Sequence, residues 1–316
     1  MYNYIKLLRP QNLLIIALVQ YLLRYFIIKP YVNILEMELQ FSDLNFFLLV
    51  LSTILIVASG YIINDYFDTS ADRINRRNHV IVGRLIRRQS VLLYHTILNI
   101  IALSVATYVS YSIGHWKFVL IFFLTTGVLW YYSSTYKHYV ILGLLIIAIL
   151  TALIPIVVLV YEIPPLTVKY GALLLDNQLS FKPIIIIVFA IAIFGFFATF
   201  IRELIKDLIS YDGDKMNFSR NLPIKYGVRN TKLFIILITI LFLVFLVYCI
   251  YFAYHLFYNN ITTIYLLLFV ITPLIISNLM IVLNNKIKYY KISLVILNLV
   301  ILFGICFSVL YKILLG

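Results

Sequence analysis

Long apolar runs recur along the whole chain and alternate with short polar segments. Residues 141–160, 184–201 and 233–250 each form such a run without a charged side chain. About 20 apolar residues in a helix are enough to cross a bilayer, whereas the strands of a membrane β-barrel alternate between apolar and polar residues. The pattern therefore predicts helices. It predicts nine spans, at residues 12–28, 45–64, 90–111, 117–134, 139–161, 183–205, 232–255, 262–284 and 291–313.

Composition supports the same fold class. Hydrophobic residues make up 64% of the 316 residues, charged residues 12%, and the mean hydropathy is +1.04, whereas a soluble domain carries about 25% charged residues. We expect an all-α membrane protein with one polytopic domain over residues 1–316. Cys249 and Cys306 lie inside apolar runs, so a disulfide framework is not expected. The first apolar run has no signal-peptide cleavage pattern and is interpreted as a retained span.

The basic residues predict the orientation of these spans. The net charge of +13 is compatible with nucleic-acid binding, but the lysines and arginines lie in short loops between apolar runs. With the N-terminus in the cytoplasm, 19 of the 25 fall in cytoplasmic segments, which is the bias of the positive-inside rule. Residues 65–89 and 207–230 then form long cytoplasmic loops, and residues 162–182 form an external connector. No nucleic-acid partner is expected.

The first candidate site follows the second predicted span. It contains Asn64, Asp65, Asp68 and Asp72. If the helix continues, Asn64, Asp68 and Asp72 lie within about 80° of arc. Carboxylates at this spacing repel each other, and the repulsion increases near lipid, so the pattern favours a bound cation. Oxygen ligands without Cys or His are typical of Mg²⁺.

The second candidate site follows the sixth predicted span. Its charged residues are Arg202, Glu203, Lys206, Asp207, Asp212, Asp214 and Lys215. Glu203 and Asp207 share a helix face, and Gly213 is interpreted as a tight turn between two loop carboxylates. Two acidic sites on one membrane face can hold two Mg²⁺ ions around a diphosphate, with basic groups neutralising the remaining charge.

Structural alternatives exist for each feature. The first cluster can be an acidic helix end neutralised by nearby arginines, and the second a charged helix cap. Asn12 can reach a cavity or simply begin a helix. The aromatic run Trp130-Tyr131-Tyr132 can line an isoprenoid tunnel or belong to an interfacial aromatic belt.

These motifs resemble those of the UbiA superfamily of intramembrane prenyltransferases. Asn64-Asp65-x-x-Asp68-x-x-x-Asp72, continued by Arg73-Ile74-Asn75-Arg76, is similar to its first aspartate-rich motif. The stretch from Arg202 to Lys215, with Leu222-Pro223-Ile224, is similar to the second, and Arg9-Pro10-x-Asn12 also fits. The second motif looks most like the ether-lipid branch, geranylgeranylglycerol-phosphate geranylgeranyltransferase. Two departures are Ser210, where that branch has a carboxylate, and residues 77–83, where it has a Pro-rich ending.

The resemblance implies a Mg²⁺-dependent transfer of a prenyl group from a polyprenyl diphosphate to a lipophilic acceptor, at the cytoplasmic end of the bundle. The implied metal ligands are Asn64, Asp65, Asp68, Asp72, Asp207, Asp212 and Asp214. The implied catalytic residues are Asp68, Asp72, Asp207 and Lys206. The implied substrate-binding residues are Asn12, Arg73, Arg202, Tyr211 and Lys215. The implied setting is a bacterial or archaeal cell membrane, with membrane lipids around the protein.

Other functions remain open at this point. The acceptor implied by the ether-lipid branch is a geranylgeranylglyceryl phosphate, and the quinone, haem and chlorophyll branches offer an aromatic quinone precursor or a tetrapyrrole instead. From a different class, a cation-coupled secondary transporter also holds carboxylates within its spans. Transporters usually place charges near the bilayer midplane, whereas both acid clusters here follow the apolar runs. A purely structural membrane protein is the third interpretation.

Overall fold

The fold is helical throughout the described residues. A computed structural model describes residues 2–69, 81–216, 221–257 and 260–315. In them, Val82 and Ile86 form an isolated bridge, and the other regular elements are helices. The α-helices are α1 (Tyr2–Leu8), α2 (Pro10–Leu22), α3 (Lys29–Ile34), α4 (Asp43–Phe67), α5 (Arg88–Ser112), α6 (Val119–Ser134), α7 (Leu142–Asp176), α8 (Lys182–Met216), α9 (Leu222–Tyr226), α10 (Val228–Phe257), α11 (Ile261–Leu266), α12 (Thr272–Leu283) and α13 (Ile287–Leu315).

The predicted number of spans is confirmed. Within the residues that the structure describes, nine helical segments are long and apolar enough to cross a membrane. They are Pro10–Ile34, Asp43–Phe67, Arg88–Ser112, Trp116–Ser134, Leu142–Asp176, Lys182–Lys215, Val228–Tyr254, Ile261–Leu283 and Ile287–Leu315. The chain is a multi-pass integral membrane protein.

Two of the nine spans contain a π-helical segment next to a proline. Leu23–Ile28 joins α2 to α3, and Leu267–Ile271 joins α11 to α12. Pro30 and Pro273 are the second residues of the α-helices that follow. Proline has no N–H, and its ring clashes with the carbonyl four residues earlier in an α-helix. Widening the preceding turn relieves that clash, which explains a π-bulge at each position.

Two long helices correct the predicted loops. The segment 162–182 was expected to be a connector because it contains Pro164 and Pro165, but α7 continues through both prolines to Asp176. Proline is tolerated in membrane helices because neighbouring groups satisfy the freed carbonyls. Likewise α8 continues to Met216, so Gly213 is helical and the tight turn predicted there is wrong.

The first acidic motif lies at a helix end. α4 stops at Phe67, and the N–H of Asp68 still bonds to the carbonyl of Asn64 at 2.9 Å. Asp68 has φ −80° and ψ −1° and caps the helix. The assumption that one helix continues from Asn64 to Asp72 thus holds as far as Phe67, where α4 ends, and Asp72 itself is outside the described residues.

The chain divides into two compact units, each with its own core. The first comprises residues 1–137 and 154–185, and the second residues 138–153 and 186–316. In the first unit, Leu7, Ala58 and Ile62 are buried in one cluster near the acidic end of α4. In the second, the core includes Phe242, against which the rings of Phe194 and Phe197 pack with centroids 5.4 Å apart in each case.

Candidate functional site: two acidic helix ends

The last turn of α4 in the first unit carries an ion pair with the N-terminal segment. Arg9 Nη2 lies 2.6 Å from Asp65 Oδ1, and the guanidinium also lies 4.9 Å from the ring centroid of Tyr61. Arg9 has φ 52° and separates α1 from α2, because a residue before proline avoids the helical conformation. This left-handed geometry is uncommon for a non-glycine residue. It places a cation beside the first acidic motif.

A second cation contacts the same helix end. Lys137 Nζ lies 2.5 Å from Asp68 Oδ1, and the side chains are 12% and 30% exposed. Lys137 comes from the 3₁₀ turn that follows α6. Both described carboxylates of this motif thus have a basic partner at contact distance, so the cost of placing them at a membrane interface is offset by opposite charge.

Aromatic side chains line the same end of the first unit. Trp130 on α6 packs edge-on against Phe67 with centroids 5.8 Å apart, and against His95 at 5.5 Å. Arg88 lies 4.5 Å from the ring centroid of Tyr66. The aromatic run therefore borders the acidic helix end. Its role as tunnel wall or interfacial belt stays a prediction.

The second acidic motif lies on about the last four turns of α8, in the second unit. Glu203, Asp207 and Asp214 share one face, since positions 203 and 214 lie within about 40° of Asp207 at about 100° per residue. Asp212 lies about 140° away from Asp207 on the same helix and is exposed. Among the carboxylates after Asp207, Asp214 is therefore the one on the Asp207 face.

Basic residues neutralise the first turn of this motif. Glu203 Oε1 accepts from Lys206 Nζ at 2.7 Å and from Arg202 Nη2 at 3.3 Å. Lys206 is exposed, whereas Arg202 and Asp207 are half-buried. The backbone N–H of Leu222, from α9, hydrogen-bonds to the Asp207 carboxylate.

Asp214 is held by two neutral donors. Ser210 Oγ lies 2.5 Å from Asp214 Oδ2, and Asn221 Nδ2 donates to the same oxygen at 2.9 Å. Asn221 also caps α9, since its Oδ1 accepts from the N–H of Ile224 at 3.1 Å. Asn221, at the start of α9, is thereby tied back to the acidic face of α8.

The remaining predicted site residues have simpler surroundings. Asn12 is exposed on the first turn of α2, and its backbone N–H bonds to the Arg9 carbonyl at 2.9 Å. Tyr211 is half-buried and Lys215 is exposed. Asp72 and Arg73 lie outside the described residues, so the predictions for them stay predictions.

The oxygen ligands at each acidic helix end fit a Mg²⁺ ion that is also bound by substrate phosphates. In the described ranges there is no group of three or more His, Cys, Asp or Glu side chains close enough to cage a metal. Mg²⁺ is usually held by one or two carboxylates together with substrate phosphates and water. Asp68 at the end of α4, and Asp207 with Asp214 on α8, provide oxygen ligands of that kind.

Two residues of the first acidic end were missed as site residues by sequence reasoning. Arg9 entered the sequence analysis at a helix start and in the resemblance of Arg9-Pro10-x-Asn12, and Lys137 is one of the 19 basic residues that predict the orientation; neither was predicted to contact the acidic motif. Their partners are 56 and 69 residues away in sequence. The sequence indicated only that acidic residues near lipid need a neutralising partner. It did not indicate which basic residue that partner is.

Comparisons with known proteins identify the family and the fold. The sequence model of the UbiA prenyltransferase family matches residues 34–302. The digeranylgeranylglyceryl phosphate synthase of Methanosphaera stadtmanae is 28% identical over 275 residues, which cover 86% of this chain and 84% of the relative. A solved structure concerned with digeranylgeranylglyceryl phosphate synthase in membranes is similar over 98% of both chains, with TM-score 0.64 and 21% identity.

A second solved structure is similar in fold. It is a UbiA homolog from Archaeoglobus fulgidus bound to DMAPP and Mg²⁺, with TM-score 0.53 and 16% identity over 97% of this chain and 99% of that one.

Proposed function

Because the chain belongs to the UbiA prenyltransferase family, we propose that this prenyltransferase moves a prenyl group from a prenyl diphosphate to a lipophilic acceptor with the help of Mg²⁺. The observation that carries the proposal is that each acidic helix end, that of α4 and that of α8, combines oxygen ligands with basic side chains. The archaeal homolog bound to DMAPP and Mg²⁺ supports the choice of donor and metal. The family match extends across both units, which supports one catalytic domain.

The chain's own residues bind, neutralise and shield the reactants in this proposal. The proposed ligands for Mg²⁺ are Asn64, Asp68 and Asp72 from the first motif and Asp207 and Asp214 from the second. Asp65, Glu203 and Asp212 are further candidates. Mg²⁺ would stabilise the negative charge of the departing diphosphate. Arg9 and Lys137 then exchange their carboxylate partners for diphosphate oxygens, and Lys206 and Arg202 act similarly from α8.

Prenyl transfer breaks one bond and forms one. The bond between C1 of the prenyl chain and the diphosphate oxygen breaks, and the diphosphate leaves with the electron pair. The acceptor nucleophile bonds to C1 and releases its proton. The allylic cation between these events is protected because apolar helices exclude water, and Trp130 beside Phe67 offers an aromatic face for cation–π attraction.

The acceptor proposed is a geranylgeranylglyceryl phosphate, with a C20 or similar donor. The relative from Methanosphaera stadtmanae, named as a digeranylgeranylglyceryl phosphate synthase, supports it. The basic residues of the predicted cytoplasmic segments would attract a phosphate head group. Anionic lipid binding alone, about 1 kcal/mol per basic residue, would give no preference for a phosphorylated acceptor.

A competition assay tests the proposal. The purified protein is incubated with Mg²⁺, labelled geranylgeranyl diphosphate and equal amounts of geranylgeranylglyceryl phosphate, a hydroxybenzoate and a dihydroxynaphthoate. We expect the glycerol-phosphate lipid to be prenylated, as identified by mass. If only an aromatic acid is prenylated, the proposed acceptor is wrong. If the protein is fully active in excess EDTA, the proposed metal-dependent mechanism is wrong.

A further inference from the structure

Ser210 and Asn221 converge on one oxygen of Asp214. Ser210 Oγ lies 2.5 Å from Asp214 Oδ2, and Asn221 Nδ2 lies 2.9 Å from the same atom. The Ser210 hydroxyl also lies 3.4 Å from the carbonyl of Asp207, but it has a single hydrogen, and the shorter contact is the stronger one. Ser210 therefore donates to Asp214 and restrains its side chain from one turn earlier on α8.

Asn221 gives this restraint a second anchor. Its amide group donates to Asp214 while its carbonyl oxygen caps α9 by accepting from Ile224. An N-cap side chain is fixed in orientation because it satisfies an otherwise unpaired N–H of the first turn. Asp214 is thus held between a hydroxyl from its own helix and an amide whose position is set by the next helix.

The serine also lowers the negative charge on this face. Asp207 and Asp214 are seven residues apart, or about 10 Å along the axis, with Ser210 between them. A carboxylate at position 210 would place three acids within two turns, where like charges destabilise each other. Glu203, one turn before Asp207, is neutralised by Lys206 and Arg202. The hydroxyl therefore leaves Asp207 and Asp214 as the two acids of this stretch and places a donor between them.

We propose that Ser210 and Asn221 are positioning residues that orient Asp214 toward a divalent cation, and that Ser210 keeps cation binding dependent on the diphosphate. The inference rests on the proposed function, because the diphosphate is the group that completes the metal shell. Two carboxylates on one helix bind a hydrated Mg²⁺ weakly, and phosphate oxygens supply the missing ligands. A third carboxylate at position 210 would allow the cation to bind alone.

Cation binding to the purified full-length protein tests this inference without relying on turnover. Mn²⁺ replaces Mg²⁺, and bound Mn²⁺ is counted by electron paramagnetic resonance with and without geranylgeranyl thiolodiphosphate, which resists ionisation. In the wild type we expect weak binding alone and tight binding with the thiolodiphosphate. Ser210→Ala and Asn221→Ser should each weaken the tight binding by about 10- to 100-fold, as removal of a ligand's hydrogen-bond partner does.

The choice of variants separates positioning from folding. Asn221→Ser keeps a side-chain oxygen that can cap α9, loses the amide donor to Asp214 and adds no charge. Ser210→Thr keeps the hydroxyl and should give wild-type binding. Ser210→Asp should bind Mn²⁺ without the thiolodiphosphate. Ser308→Ala is the matched control, since that hydroxyl donates to Ile305 of its own helix, and it should bind Mn²⁺ like the wild type.

Two results overturn the inference. One is wild-type Mn²⁺ affinity in Ser210→Ala with the thiolodiphosphate present. The other is tight binding of Mn²⁺ by the wild type without it. A wild type that binds no Mn²⁺ even with the thiolodiphosphate and forms no prenylated product instead overturns the proposed function, so the two failures are distinguishable.

Discussion

Arg24 Nε lies 2.9 Å from Glu162 Oε1 in the interior of the first unit, where the two side chains are 1% and 0% exposed. Arg24 belongs to the π-helical segment after α2, and Glu162 to α7. The guanidinium also lies 3.2 Å from Asp43 Oδ1 and 4.4 Å from the ring centroid of Phe46. The π-bulge caused by Pro30 thus directs a charged side chain inward, and α7 provides its counter-ion.

Breaking this pair should destabilise the protein strongly. Removing one partner of a buried ion pair leaves an uncompensated charge and costs about 3–5 kcal/mol. We expect Glu162→Leu and Arg24→Met each to lower the thermal unfolding temperature in one detergent. The double variant should lose less than either single variant, because no buried charge is left unpaired and Asp43, which also loses Arg24, is 81% exposed to solvent. Lys29→Met is the control, because Lys29 is exposed about one turn after Arg24. Equal unfolding temperatures for Glu162→Leu and the wild type would contradict the prediction.

Prenyl transfer should depend on an acid from each motif. Asp68→Ala and Asp207→Ala should each lower the rate at least about 100-fold, equal to about 2.7 kcal/mol of barrier, since each variant loses an oxygen ligand for Mg²⁺. Excess EDTA should abolish transfer and added Mg²⁺ should restore it. Asp176→Ala, at the exposed end of α7, is the matched control and should keep the wild-type rate. If the transfer rate of Asp207→Ala stayed within about threefold of the wild-type rate, the acidic motif of α8 would have no part in the mechanism.

The two cationic contacts of the first motif show where sequence reasoning reaches its limit. The position and type of the acids could be predicted, because Asn64, Asp65 and Asp68 follow an apolar run and a membrane interface tolerates such a group only with compensation. The compensating residues could not, since Arg9 and Lys137 meet the motif through tertiary packing. Periodicity describes a residue's own helix and carries no information on contacts between distant helices.

Span boundaries show a similar limit. The apolar runs indicated all nine spans, because a bilayer demands continuous apolar length. The extension of α7 past Pro164 and of α8 past Gly213 was missed, because proline and glycine are read as helix breakers. In both helices tertiary context overrides that local preference, and the second case moves Asp214 from an expected loop onto the Asp207 face.

Lys137 should act through the donor diphosphate. A hydrogen bond to a charged group contributes about 1.5–3 kcal/mol, so Lys137→Met should lower kcat/KM by about 10- to 100-fold. Lys137→Arg keeps the charge and should recover part of the loss. Initial rates at varied geranylgeranyl diphosphate separate an effect on KM from one on kcat. Lys117→Met is the control, because Lys117 is exposed in a different 3₁₀ turn. If Lys137→Met had the same kcat and KM as Lys117→Met, the contact between Lys137 and Asp68 would have no catalytic role.

Gly304 should be intolerant of a methyl group. A Cβ there would lie 2.2 Å from the tip of the Phe194 ring, and that ring cannot swing away freely because it packs against Phe242. Overpacking of this kind costs about 1–3 kcal/mol, so Gly304→Ala should unfold at a lower temperature. Gly195→Ala is the matched control in the same unit, since its Cβ would meet Thr151 at an ordinary 3.8 Å. Equal stability of the two variants would mean that Phe194 moves aside.

The acidic ends of α4 and α8 should face the cytoplasm. This prediction follows from the basic residues, since 19 of 25 are predicted to lie on the side that contains the N-terminus. The distribution of Lys and Arg in short loops sets membrane orientation. Cys249 and Cys306 are first replaced by serine, and single cysteines are then introduced as Ser90→Cys, on the first turn of α5, and Asn177→Cys, just after α7. An impermeant maleimide added to sealed right-side-out vesicles should label position 177 and spare position 90 until the membrane is opened. The opposite pattern would invert the topology and place the acidic ends, together with the basic residues of the same segments, on the external face.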